Sequence, residues 1–151
     1  MKKTIFIISV AFLAFCLNAC KSHSKVTAEA TSDKISIDLA GTYWKLVELN
    51  GSPVEEGTSA KEPYITMEIA DNRFYGNAGC NNFTGSFRVP EPGRIAFSQV
   101  VATRMMCLNM EIENSLLKMF DLIDSYTIKD DILTLANDQI PLARFAAMND
   151  D

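Results

Sequence analysis

Two cysteines set the chemistry open to this chain. Cys80 sits in Gly79-Cys80-Asn81-Asn82-Phe83-Thr84-Gly85, and Cys107 closes Thr103-Arg104-Met105-Met106-Cys107. Such a pair could form a disulfide, supply a nucleophile or bind a soft metal. A cysteine nucleophile needs a base and an electropositive setting. The one histidine, His23, lies near the N-terminus, remote in sequence from both cysteines. A Ser-His-acid hydrolase lacks its imidazole for the same reason. Met105, Met106, Cys107 and Met110 group soft ligands of the kind that take Cu(I). Methionine is equally an adaptable core filler, and two cysteines without a local histidine make a poor zinc site. The acidic pairs Glu55-Glu56 and Asp130-Asp131 fall in turn-like stretches, where solvated faces explain them. No phosphate-binding glycine loop opens a helix. The expectation is no catalytic residue, no metal and no cofactor.

The front of the chain fixes the redox setting. Met1-Lys2-Lys3 is a short basic start, and Thr4 to Leu17 is almost wholly apolar. This pattern reads as a secretory signal peptide over 1–19. It is too short for a permanent span, which needs about 20 apolar residues. Leu17-Asn18-Ala19-Cys20 resembles a bacterial lipobox, so Cys20 is the expected lipidation site and new N-terminus. Two or more acyl chains, at about 0.8 kcal/mol per buried methylene, anchor a protein stably. Lys21 rather than Asp after that cysteine favours the outer membrane, with the domain facing the periplasm. Cys16 leaves with the leader. Cys80 and Cys107 then remain as an even pair in a compartment where disulfides persist. A disulfide is expected, with two buried thiols as the alternative.

Loss of Lys2 and Lys3 leaves 12 basic against 19 acidic residues, a formal charge of −7. No cluster of Lys and Arg offsets it, which argues against nucleic acid as a partner. Residues 20–38 are small and polar and read as a flexible tether that holds His23. The domain is expected over 39–147, with an acidic frayed tail over 148–151.

The elements that must position the cysteines are mostly strands. Thr42 to Leu49 is aromatic and branched, with Trp44 and Leu46 on one face and Tyr43, Val47 and Leu49 on the other. Asn50-Gly51 is a turn signal, and the stretch to Pro63 reads as loop. Tyr64 to Ala70 alternates; Arg73 to Asn77 returns from it, with a kink or bulge expected around Gly76 and Gly79. Phe83 to Val89 alternates again. Arg94 to Val101 follows, with Ile95, Phe97, Gln99 and Val101 in register. Ile112, Leu116, Met119, Phe120 and Ile123 form an apolar stripe on an amphipathic helix of about four turns, capped by Asn109. Glu111 and Glu113 fall in its first turns, where negative charge suits the dipole. Tyr126 to Ala136 reads as a hairpin about Asp130-Asp131, and Ile140 to Phe145 as a last strand at a sheet edge because of Pro141. About eight short strands and one helix make an α+β fold. The sheet is expected to be small, antiparallel and curled into a partly open barrel, with the helix packed on it.

Trp44-Lys45-Leu46, the Gly79–Gly85 string, the Thr103–Cys107 string, a helix opening at Glu111 and Leu133-Thr134-Leu135 together resemble the META domain family over about residues 40–146. Within it they are most similar to the HslJ-like heat-shock lipoproteins of bacterial outer membranes. The resemblance implies a single domain of barrel-like sheet plus helix. It implies a link to heat induction and novobiocin tolerance, and a likeness of fold to lipoprotein pilotins. It carries over no catalytic residue and no cofactor. The motif residues also have a structural reading. Gly79 and Gly85 permit bends or close approach, Asn81 holds a local turn, Phe83 fills the core and Thr103 bonds backbone near the cysteines. Arg104 either pairs with Glu111 or Asp121 or faces a partner.

The expected function is that of a non-enzymatic envelope lipoprotein acting by contact, with stress as its setting. Two other roles stay open. One is a carrier of an apolar ligand or lipid, against which Phe74, Phe83, Phe87 and Phe97 are bulky enough to fill the sheet's interior. The other is a pilotin-like assembly chaperone for an envelope protein.

Overall fold

The computed structural model describes residues 39–148. The expected leader over 1–19, Cys20, the expected tether with His23 and residues 149–151 lie outside the described residues; Met148, expected to begin a frayed tail, pairs with Tyr43 at the end of the last strand. The elements are β1 (Tyr43–Leu49), β2 (Ser52–Pro53), β3 (Tyr64–Glu68), β4 (Arg73–Asn77), β5 (Asn82–Arg88), β6 (Ala96–Ala102), α1 (Glu111–Met119), β7 (Ser125–Lys129), β8 (Ile132–Asn137) and β9 (Ile140–Met148). All strands join one antiparallel sheet in the order β6-β5-β4-β3-β1-β9-β8-β7, with β2 paired to β1. The strand beyond the expected eight is β2, two residues inside the stretch read as loop.

The sheet curls without closing into a barrel. The two ends of the sheet meet at the isolated bridge between Arg94, two residues before β6, and Ser125 of β7, beside the Arg94–Asp124 ion pair at 3.4 Å. Register shifts at Leu46/Glu48, Thr84/Ser86 and Leu135/Ala136 punctuate the ladder. Each such bulge bends its strand and increases the local twist. Asp130 and Asp131 both take positive φ, 52° and 59°, the conformation a tight two-residue hairpin requires.

The bulges also correct three expectations. The shift in β1 returns Leu49 to the face of Trp44 and Leu46, where it is buried, and not to that of Tyr43 and Val47. Gln99 takes φ 55°, so Val100 and Ala102 pack on the core while Val101 is exposed. Pro141 is not on an edge strand: β9 lies between β1 and β8, and Pro141 is accommodated at the β8 bulge, opposite Ala136. A bulge is where a sheet tolerates a residue without an N–H. Gly76, expected at a kink, sits in regular register between Ile65 and Phe83.

Helix α1 spans nine residues, not four turns. After it, the Leu122 and Ile123 N–H groups both return to the Met119 carbonyl at 2.9 and 3.1 Å. This tight turn still delivers Phe120 and Ile123 to the core. Asn109 lies one residue before the capping position, and its Oδ1 accepts the Glu111 N–H at 3.0 Å. The rings of Phe74, Phe83, Phe97 and Phe120 pack with centroids 4.7–5.8 Å apart. Trp44 is buried, and its Nε1–H donates to the Leu39 carbonyl at 3.1 Å. Full burial of each large apolar side chain contributes about 1.5–3 kcal/mol, so these rings join helix to sheet.

Candidate functional site

The link between β4 and β5 carries the first cysteine. Asn77 is buried at its start, and its Oδ1 accepts the Gly79 N–H at 2.8 Å. Its Nδ2 donates to Asn82 Oδ1 at 2.8 Å. Gly79 takes φ 108°, a conformation that side chains rarely adopt. Asn77, and not Asn81, therefore holds the local turn. Gly85 serves close packing: a Cβ there would lie 2.5 Å from Phe74 Cε1 and 2.9 Å from the Ser98 carbonyl.

Asn81 does something longer in range. It is 1 % exposed, and all four hydrogen-bonding positions of its amide are filled. Oδ1 accepts from Thr103 Oγ1 and from the Met105 N–H, both at 2.7 Å. Nδ2 donates to the Met105 carbonyl at 3.0 Å and to Glu113 Oε1 at 2.7 Å. The backbone N–H of Asn81 donates to Glu113 Oε2 at 2.7 Å. One side chain thus ties the β4–β5 link to the segment after β6 and to α1. The Thr103 hydroxyl, expected to bond backbone near the cysteines, donates instead to the Asn81 side chain; the Thr103 N–H donates to the Asn82 carbonyl at 3.0 Å.

Next to this network, Cys80 and Cys107 form a disulfide with a Cα–Cα distance of 6.2 Å. Cys80 is fully buried. The alternative of two free thiols is set aside, and with it any thiolate for a soft metal at Met105, Met106 and Met110. Residues 103–108 become a strap pinned at Met105 by Asn81 and at Cys107 by the disulfide. Thr103 and Cys107 turn inward, to Asn81 and Cys80, and the other side chains of the strap are exposed. Met106 is 98 % exposed, Leu108 fully so, and Met105 and neighbouring Val101 are also exposed. Arg104 is exposed and makes no ion pair with Glu111 or Asp121 among the described residues.

Between strap, β6 and α1 lies an open cleft of about 560 Å³, lined by Asn81, Val100 to Met106, Met110, Glu113 and Leu117. Sequence reasoning missed Glu113 as a member of this site, placing it on the helix dipole. Its burial is legible in retrospect: Glu113, Leu116 and Phe120 fall at i, i+3 and i+7, one helical face. Phe83 is buried beneath the site, and Trp44 lies in the core.

A second polar cluster joins β1 to the link that precedes β3. Lys45 Nζ meets Glu62 at 2.8 Å and Glu56 at 3.0 Å, and Tyr43 Oη donates to Glu62 at 3.0 Å. The hydrogen bond from Lys45 holds the Glu62 carboxyl below its ordinary range. Every member has its partner, and the arrangement is a solvated ion-pair network.

A family model for the META domain matches residues 37–149. No curated protein matches the sequence. Three solved structures are similar. A protein from Burkholderia xenovorans, solved by NMR, is 21 % identical, with 78 % of this chain and 88 % of that chain covered and a TM-score of 0.61. Another NMR structure is 24 % identical, covering 73 % and 92 %, with a TM-score of 0.58. The crystal structure of a DUF4847 family protein from Bacteroides vulgatus is 15 % identical, covering 75 % and 96 %, with a TM-score of 0.52. At these identities the likeness is one of fold.

Proposed function

Because the chain belongs to the META domain family, we propose that it is a non-enzymatic lipoprotein of the bacterial envelope that works by contact with another envelope protein, through the strap 103–108. One observation carries this reading: a segment tied to the core at Met105 and Cys107 presents large apolar side chains to solvent. Val101, Met105, Met106 and Leu108 are four large apolar side chains exposed within eight residues, and a concentration of exposed apolar surface marks an interaction site. Rigidity lowers the ordering cost of contact, so the clamp and the exposed residues serve one end. Lipid anchoring is supported by the lipobox-like Leu17-Asn18-Ala19-Cys20, and outer-membrane placement by Lys21 in place of Asp after it. The stress setting comes with the likeness to HslJ-type proteins.

The packed phenylalanine rings fill the inside of the sheet, which favours contact over carriage of an apolar ligand. Native mass spectrometry of freshly purified protein should give the unliganded mass, and a co-purifying lipid would overturn that preference. The double variant Met106→Ser, Leu108→Ser should melt within about 3 °C of the parent, as surface substitutions do. It should also lose the cross-linked adducts that the parent forms in membranes. Unaltered adducts from the folded variant would remove the strap from the interface.

A further inference from the structure

We propose that the open seam beside β6 accepts an extended peptide segment as an added strand, with a carboxylate of that segment seated on Arg104. The proposal rests on the contact reading above and names its partner chemistry. β6 is a terminal strand of the sheet and pairs with β5 alone. The Thr103 N–H donates to Asn82 across that ladder. Antiparallel pairing alternates, so the Val101 polar groups also face β5, and those of Val100 and Ala102 face the open side.

Native edges are usually guarded by charge, proline or a bulge. β6 holds no charge and no proline, and its bulge at Gln99 guards only the half nearer Arg94. The seam is shut at that same end by Arg94↔Ser125. The free edge is therefore Val100 to Ala102, reached from the strap side. The facing wall is the helix, through Met110, Glu113 and Leu117. A groove between a free strand edge and a helix suits strand addition, where main-chain bonds give affinity and alternate side chains give specificity.

Charge fixes the orientation and the chemistry of the occupant. Glu113 lies deeper in the cleft, with both oxygens bound by Asn81, and repels a carboxylate. Arg104 stands at the mouth as the cation of the strap. A guanidinium is the side chain best matched to a carboxylate. An extended segment alternating apolar and small residues, ending in a carboxylate or carrying an acidic side chain, meets both conditions.

The probe is an acetylated hexapeptide alternating threonine and valine with a free C-terminal carboxylate, titrated into the isotopically labelled full chain and followed by NMR. Cross-strand contacts to Val100 and Ala102 and slowed exchange of the Ala102 amide are expected. The C-terminal amide form of the peptide, and the variant Arg104→Gln, should each bind about tenfold more weakly. Ala102→Pro removes an outward N–H and no β5 bond, so it should abolish binding while the fold persists, as checked by near-UV dichroism. Absence of perturbation at millimolar peptide, or perturbation of Met106 and Leu108 with an unprotected Ala102 amide, would overturn strand addition. The adduct test of Met106 and Leu108 is independent of that result, so failure here leaves the contact reading separately judged.

Discussion

Asn81→Ala should destabilise the oxidised chain by about 3–4 kcal/mol, measured by chemical denaturation. The substitution removes the acceptor of the Met105 N–H and of Thr103, and a donor to a carboxylate that is 5 % exposed. Each buried group left without its partner costs about 1–3 kcal/mol, more where charge is involved. Small surface rearrangement at the strap recovers part of that sum. Asn81→Asp preserves shape and should be at least as damaging, because it sets a second carboxylate against Glu113. An aspartate variant as stable as the parent would show that the Glu113 contact is not what the side chain serves.

Reduction of Cys80–Cys107 has the second large effect. The two cysteines are 27 residues apart in sequence, and the chain-entropy estimate for such a loop is about 3.5 kcal/mol. Melting should fall by more than about 10 °C in reductant. An unchanged melting temperature would mean that the disulfide restrains nothing. The strap ties both effects together. Reduction and Asn81→Ala release the same segment, so their combined cost should fall short of the sum, as expected for residues in one network.

Much of this was legible in the chain. Alternation located the larger strands, because a strand's period of two shows wherever one face is buried. The even cysteine pair left by the expected leader and lipidation site pointed to the disulfide. The β-bulges were not legible. Gln99 carries no glycine-like mark, yet its positive φ moves Val101 to solvent and Val100 and Ala102 to the core. The same holds at Leu49, which one extra residue returns to the buried face. Pro141 read as an edge residue because the bulge at Ala136 leaves no trace in sequence. The site was half visible: both motif strings were found, but Asn81 was given a local role that belongs to Asn77. Glu113 was missed because acidic residues in a first turn are ordinarily explained by the helix dipole. A carboxylate in phase with Leu116 and Phe120 is the sign that distinguishes it.

The account's centre is that the clamp holds the strap ready for contact. The direct measurement is photo-cross-linking in intact membranes from a reactive side chain placed at Met106, compared with one at exposed Lys129 on β7. The account predicts a discrete adduct from position 106 in the oxidised chain, at least about fivefold weaker after reduction or with Asn81→Ala, and none from position 129. Equal labelling from the two positions, or labelling from 106 that persists once the strap is released, would contradict it.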